Sequence, residues 1–147
     1  MKKSTLSLGI AGLLLAVAPQ ASVSAAHHEV SFEKDILPVM IEKCIECHRE
    51  AYKDARGRTR KPKSGYRMDT AEHFIAGGYI QEDEGRKAVV PGDAENSMVY
   101  HFTTLPLDDD LHMPTKGDDL TAEEQELLKK WINQGANFGD WKSYKYE

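Results

Sequence analysis

The five residues Cys44-Ile45-Glu46-Cys47-His48 constrain this chain more than any other feature of its sequence. The pattern C-x-x-C-H is the attachment signature of a c-type haem, because two thiols three positions apart can each add to one vinyl group of the porphyrin. The histidine that follows offers an imidazole nitrogen to the iron as the proximal ligand. The motif occurs once and uses the only two cysteines of the chain. We therefore expect one covalently bound haem c.

A C-x-x-C pair also occurs in two other kinds of site. A thioredoxin-like redox dithiol usually accompanies a βαβ pattern, which this sequence lacks. A structural zinc site needs two more ligands at paired spacing. The remaining histidines show no H-x₃₋₅-H pair; they are His27, His28, His73, His101 and His112. Haem attachment is the interpretation that the sequence favours.

The N-terminus has the three parts of a secretory signal peptide. Lys2 and Lys3 supply the positive charge, residues 6–18 are largely apolar, and residues 23–26 are small enough for cleavage. The apolar run is shorter than the roughly 20 residues that cross a bilayer as a helix. We predict that residues 1–25 are removed and that the mature protein is exported, to the periplasm or a comparable location, with no permanent membrane span.

Residues 26–147 are enough for one domain and too few for two, and we place its core at residues 30–138. Because the predicted signal carries two lysines and no acid, its removal moves the net charge from −5 to −7. An acidic chain of this size is a poor candidate for nucleic-acid binding. A buried porphyrin would add core volume to so small a domain, so we expect the haem-free chain to fold poorly.

Capping residues and apolar spacing predict an all-α fold, cytochrome c-like, with short helices and irregular loops around the haem. The first helix follows Ser31 and carries the haem motif at its end, although Pro38 could delay or kink it. Further helices are predicted at residues 70–76, from 98 to about 102, and from the capping box at 121–124 to the stop at Gly135. Residues 49–63, with seven basic and two acidic side chains, are predicted to be a loop.

The sixth ligand of the iron separates an electron carrier from a catalyst or gas binder. Met113 lies far from His48 in the sequence, in a loop that Pro114 stiffens, so it could approach from the opposite face. His101 and His112 are the alternatives, and an open site is a further one. Three other methionines are interpreted as packing residues, namely Met40, Met68 and Met98.

Several separated segments, in order, resemble the planctomycete-type cytochrome c domain, a branch of the monohaem cytochrome c fold. They are residues 35–38 before the haem motif, 64–69, Gly77-Gly78, 89–93 with Ser97, Met113-Pro114, and 120–136. The resemblance runs from about Val30 to Phe138. It implies thioether bonds at Cys44 and Cys47, with His48 and Met113 as the iron ligands. Thr115 stands where the family often has a second proline, and residues 49–63 look like an insertion.

These observations predict an exported protein that carries single electrons between redox partner proteins and transforms no substrate. One alternative is a peroxidase-like enzyme, which would need an open iron site and an acid–base group such as His101 or His112. Another is a haem sensor or docking module of a larger exported oxidoreductase. Opposite charges on residues 49–63 and 108–126 could steer a partner, although both could equally be solvated faces. The sequence does not indicate an oligomeric state.

Overall fold

A computed structural model describes residues 29–146, and the signal peptide predicted at residues 1–25 lies outside them. In chain order the elements are a π-helical turn Phe32–Ile36, α1 (Leu37–Lys43), β1 (Tyr52–Lys53), β2 (Thr59–Arg60), a 3₁₀ turn Lys63–Gly65, α2 (Ala71–Ala76), α3 (Tyr79–Asp83), α4 (Met98–Thr104) and α5 (Ala122–Asn133). Most of the ordered structure is helical, as predicted.

The first helix begins where the sequence predicts it. The Ser31 hydroxyl accepts a hydrogen bond from the Lys34 N–H, and the chain then makes one wide π-helical turn before it continues as α1. Pro38 lies in the first turn of α1, directly after the π-helical turn, and the chain stays helical there. Phe32, Ile36 and Met40 are buried on one face. The interpretation of Met40 as a packing residue is confirmed.

The other three predicted helices are also present. α2 starts after Thr70, whose hydroxyl accepts from the His73 N–H, and it ends at Gly77 with a φ of 86°. α4 follows Ser97. α5 carries the predicted capping box, in which the Thr121 N–H donates to the Glu124 carboxylate and the Glu124 N–H donates to the Thr121 hydroxyl.

Two elements differ from the prediction. The basic segment is not only a loop, because β1 and β2 form an antiparallel hairpin within it, so the chain is not purely all-α. Asp54 organises this hairpin by accepting hydrogen bonds from the backbone and side chain of Arg58 and from the side chain of Arg60. The short helix α3 was also not predicted. Neither element has an apolar repeat, which is the signal that sequence prediction relies on.

The core is centred on Phe32, which packs the start of the first helix against α5. Its ring lies 4.6–6.0 Å from the ring centroids of Phe74, Trp131, Phe138 and Trp141. α4 packs on another part of α5. No helix within residues 29–146 is both long and apolar enough to span a bilayer.

Candidate haem site

The C-x-x-C-H motif forms a tight turn at the end of α1. The Cys44 N–H donates to the Met40 carbonyl and continues the helix, and the Cys47 and His48 N–H groups then fold back onto the Cys44 carbonyl at 3.2 and 3.0 Å. Ile45 points into the core and is 2% exposed. This turn brings Cys44, Cys47 and His48 to the wall of one cavity.

The His48 ring is held in a defined tautomer. Its Nδ1 lies 3.1 Å from the Tyr66 carbonyl oxygen, and a carbonyl can only accept, so Nδ1 carries the proton. The lone pair of Nε2 is then free for a metal, which is the usual way that a second partner prepares a histidine ligand. The backbone is fixed as well, because the Met68 N–H donates to the His48 carbonyl at 2.7 Å.

The pKa of His48 lies below its ordinary value. Burial disfavours the charged imidazolium, while contacts with the backbone at Tyr66 and Lys63 act in the opposite direction and only partly offset it. The ring is therefore neutral at physiological pH. A neutral imidazole is the form that binds iron.

The thiol of Cys44 is held in its protonated form. Burial, reinforced by the nearby Cys47 thiol, raises the pKa of Cys44 to about 12. Redox-active dithiols have a lowered pKa, because the thiolate is their nucleophile. This environment does not favour a thioredoxin-like dithiol. For a zinc site, residues 29–146 contain no group of three or more His, Cys, Asp or Glu side chains that could hold a metal ion.

Further walls of the cavity are built by α4 and the loop after it. Met113 lines the cavity, and its N–H donates to the Phe102 carbonyl at 2.9 Å, which ties the loop to the end of α4. The cavity has a volume of about 340 Å³. Its apolar walls come mainly from Tyr66, Met68, Ile80, Val99 and Phe102.

The donor set of this cavity fits a haem c. Two thiols, one imidazole with a free nitrogen and the thioethers of Met68 and Met113 line a single, largely apolar cavity. Thiols are what thioether attachment requires, and a histidine with a methionine is a known axial pair of c-type cytochromes. Cys44, Cys47 and His48 come from one turn, and Met113 comes from a loop that is distant in the sequence.

Neither alternative histidine lines the cavity. His112 is buried, and its Nδ1 and Nε2 contact the Leu105 carbonyl at 2.8 Å and the Asp119 carboxylate at 2.9 Å. Both partners are acceptors, so both ring nitrogens donate. The hydrogen bond that His112 donates to Asp119 is the main reason that the pKa of His112 is raised. His112 thus anchors the loop just before Met113. His101 lies on α4 with its ring next to that of Phe102.

The remaining methionines divide between core and cavity. Met98 is fully buried in the core and does not line the cavity, which agrees with its interpretation as a packing residue. Met68 is 3% exposed and also packs, yet it lines the cavity beside His48. Its position next to His48 follows from the hydrogen bond between the two backbones.

Sequence reasoning missed two residues of the site. Tyr66 acts through its backbone carbonyl, and no side-chain pattern marks such a role. Gln81 is 4% exposed and lines the cavity; its Oε1 accepts from the Gly78 N–H at 2.8 Å. Gln81 lies on a short helix without an apolar repeat, so no sequence pattern marks it as a residue of the site. The nearest distinctive feature of the sequence is the Gly77-Gly78 pair just before this helix.

The sequence was compared with models of known protein families, and the matched region contains the features described above. A family model described as Planctomycete cytochrome C matches residues 44–117, which is half of the chain. The match is shorter than the resemblance seen in the sequence, but it includes the haem motif, the cavity walls and Met113. No curated protein and no solved structure matches the chain. The chain belongs to the planctomycete cytochrome c family.

Proposed function

We propose that this protein is an electron carrier with one covalent haem c, attached through Cys44 and Cys47 and ligated by His48 and Met113. The observation that carries the proposal is that these four side chains line one cavity of about 340 Å³. Membership of a cytochrome c family supports haem binding and electron transfer in general terms. When bound, the haem supplies an iron that gains and loses single electrons.

The residues of the chain act mainly by holding the iron ligands still. The Tyr66 carbonyl orients His48 at 3.1 Å, and the Phe102 carbonyl holds the Met113 backbone at 2.9 Å. Ligands that do not move between oxidation states keep the reorganisation small, so electron exchange is fast. A thioether ligand and apolar walls both raise the reduction potential, because they stabilise the less charged reduced iron.

The location and partners are part of the same proposal. Cytochrome c domains typically occur in exported proteins. The signal peptide predicted at residues 1–25 would direct this chain out of the cytoplasm. The haem would then exchange electrons with other redox proteins in that compartment. No nucleic-acid partner is proposed for a chain with a net charge of −5.

Visible spectroscopy of the purified protein in both oxidation states tests the proposal. We expect a c-type spectrum with a weak far-red band in the ferric form, which reports a methionine sulfur on iron, and no rapid binding of carbon monoxide to the reduced form. A Cys44→Ala/Cys47→Ala variant serves as the control and should carry no covalent haem. Rapid carbon monoxide binding together with a missing far-red band would favour a peroxidase-like enzyme or a sensor instead.

The peroxidase-like alternative finds little support in the site. It needs an acid–base group beside an open iron, and the two histidines considered for that role, His101 and His112, do not line the cavity. His112 already donates from both ring nitrogens. Electron transfer without catalysis is the function that the geometry supports best.

A further inference from the structure

Gln81 is a buried polar side chain in the wall of a largely apolar cavity. It lies on α3, is 4% exposed and lines the candidate haem cavity. A buried amide costs free energy unless its oxygen and its NH₂ group both have hydrogen-bond partners. The partners of the two ends of this side chain therefore indicate what Gln81 does.

The oxygen of the Gln81 side chain is bound to the backbone. The Gly78 N–H lies 2.8 Å from it, and since an N–H can only donate, the atom at that position is the acceptor Oε1. Gly78 cannot move away easily, because a Cβ atom on it would already lie 2.4 Å from the Ser64 carbonyl oxygen and 2.6 Å from the Tyr66 nitrogen. The amide is therefore held in one orientation, with Nε2 directed away from Gly78.

The NH₂ group of Gln81 has no acceptor within residues 29–146. It is also not sealed off, because among the described residues the Arg49 Nε is the side-chain atom that is both unpaired and closed to solvent. Nε2 of Gln81 thus reaches open space. Because the residue is 4% exposed and lines the cavity, that space is the cavity itself. A fixed donor facing an apolar cavity indicates a ligand that carries an acceptor.

We infer that Nε2 of Gln81 donates a hydrogen bond to a propionate carboxylate of the haem. The inference rests on the proposed function, and it adds a contact to those of the two cysteines and the two axial ligands. The ring nitrogens of a haem are bound to the iron, so the propionates are the acceptors that remain on the porphyrin. A hydrogen bond to an ionised carboxylate is also stronger than one between neutral groups.

The sulfur of Met113 is a poorer candidate for the acceptor. A thioether accepts hydrogen bonds only weakly. Gln81 is also joined, through Gly78, to the segment at 64–66, whose Tyr66 carbonyl contacts Nδ1 of His48. Because two axial ligands bind an iron from opposite faces of the porphyrin, this connection associates Gln81 with the face of His48.

This hydrogen bond would raise the reduction potential. A free carboxylate near the porphyrin favours ferric iron, which carries one more positive charge than ferrous iron. Donation from Nε2 offsets part of the negative charge and so weakens that preference. Hydrogen bonds and burial around a haem are among the means by which a protein sets the potential. Gln81 is therefore a positioning residue for the haem rather than only a cap of α3.

Nuclear magnetic resonance of the reduced wild-type protein tests the contact directly. Low-spin ferrous iron is diamagnetic, so the isotopically labelled side-chain amide of Gln81 can be observed close to the haem. We expect nuclear Overhauser effects between its amide protons and the propionate methylene protons, with slow solvent exchange of the bonded proton. Fast exchange of both amide protons, or contacts to the methyl group of Met113 alone, would overturn the inference.

Substitution tests the effect on the haem. In Gln81→Met, which keeps the length of the side chain, we expect the equilibrium constant for reduction to fall several-fold and the propionate bending mode in the resonance Raman spectrum to shift. The matched control is Gln125→Met. The NH₂ group of Gln125 donates to the carbonyl of Thr103, a cavity residue, but Gln125 does not line the cavity. Both variants should lose stability, and the control should keep the propionate mode and the potential.

The outcomes separate the contact with haem from a purely structural role. An unchanged propionate mode in Gln81→Met, or equal shifts in both variants, would overturn the inference. Loss of the far-red band in Gln81→Met would show that Gln81 acts through Met113 instead. Should Gln81→Met not fold, the contacts in the wild-type protein still decide. Wild-type protein without covalent haem would overturn the proposed function as well, whereas the other results leave that function intact.

Discussion

At the scale of single residues, the Tyr66 carbonyl and the Phe102 carbonyl decide how the two candidate iron ligands are presented. The first contacts Nδ1 of His48, so that the lone pair of Nε2 is free for a metal, and the second holds the backbone of Met113. The ligand side chains are visible in the sequence, but the groups that orient them are backbone atoms. Substitution of the ligands is therefore the direct test at this scale.

Replacing Met113 by alanine should remove the sixth ligand and leave the fold nearly unchanged. We expect the far-red band of the ferric protein to disappear and the reduced protein to bind carbon monoxide. The reduction potential should fall by on the order of 100 mV, within the roughly 0.8 V range that axial ligands cover. Met68→Ala is the matched control, because Met68 lines the same cavity beside His48. If Met68→Ala alone removed the band, the assignment of Met113 would be wrong.

Asp69 is a second residue whose role can be tested by substitution. Its carboxylate is 2% exposed and accepts hydrogen bonds from the Arg67 side chain, the Glu50 N–H and the Tyr146 hydroxyl. Burial alone would raise the pKa of Asp69, but these hydrogen bonds outweigh burial and lower it. We expect Asp69→Asn to reduce the free energy of unfolding by about 1–3 kcal/mol at neutral pH.

The same shift predicts the pH dependence of that effect. A carboxyl group with a lowered pKa in the folded protein contributes stability above its unfolded pKa of about 4, and loses it as the pH falls through the lower folded value. The difference between wild type and Asp69→Asn in thermal melts should therefore be constant at neutral pH and shrink below about pH 4. A difference that stays constant down to pH 2 would contradict this account.

The choice between Met113 and His112 shows what the sequence cannot decide at this scale. The two residues are neighbours in one loop, and both are possible ligands by chemistry. Which of the two lines the cavity depends on tertiary contacts. His112 binds Leu105 and Asp119, while the backbone of Met113 binds Phe102. The C-x-x-C-H motif, by contrast, is local, so its geometry could be anticipated from five consecutive residues.

At the scale of elements, the start of α3 packs against the segment that positions His48. A Cβ atom on Gly78 would lie 2.4 Å from the Ser64 carbonyl oxygen and 2.6 Å from the Tyr66 nitrogen. Both neighbours are backbone atoms, so the clash can be relieved only by moving the chain. Gly78 therefore allows the close approach that places the Tyr66 carbonyl beside His48.

Gly78→Ala should disturb the haem site from a distance. We expect a loss of stability of roughly 1–3 kcal/mol, typical of overpacking, and a shift of the reduction potential because the His48 hydrogen bond is displaced. Gly85→Ala is the control, since Gly85 has a φ of 63° but no neighbour within 4 Å of the added atom. The control should lose a little stability and keep the potential. Equal potentials in all three proteins would contradict the role given to Gly78.

Sequence prediction succeeded for elements that carry capping residues and an apolar repeat. α2 and α5 begin directly after Thr70 and Thr121, whose side chains cap them. α3 and the β1–β2 hairpin were missed for a physical reason. The hairpin is held by the ion pairs of Asp54, and α3 begins at a glycine bonded to the Gln81 side chain, so neither shows hydrophobic periodicity.

At the scale of the whole molecule, the rings around Phe32 and the lining of the candidate haem cavity are separate sets of residues that meet at Tyr66, which lines the cavity and packs on Phe74. None of the rings around Phe32 lines the cavity, and the cavity walls come from other residues. The core could be anticipated from the apolar faces of the helices. The separation could not, because it depends on how the loops between the helices pack. This separation limits the expectation that the haem-free chain folds poorly, because the two regions need not lose order together.

We expect the haem-free variant Cys44→Ala/Cys47→Ala to lose order mainly around the cavity. Its near-ultraviolet circular dichroism should retain part of the tryptophan signal, because Trp131 and Trp141 pack on Phe32. Amide exchange should accelerate in α4 and in the loop around Met113, which face the cavity. Complete loss of the tryptophan signal would show that the aromatic core also depends on haem.

The central claim is that one haem is covalently bound to this chain at Cys44 and Cys47. The most direct measurement is the intact mass of the purified protein after denaturation and extraction with acidified organic solvent. The account predicts a protein that keeps its colour and has the mass of the polypeptide plus one haem, with both cysteines blocked to thiol reagents. Pigment released into the solvent, or a polypeptide with two free thiols and no iron, would contradict it.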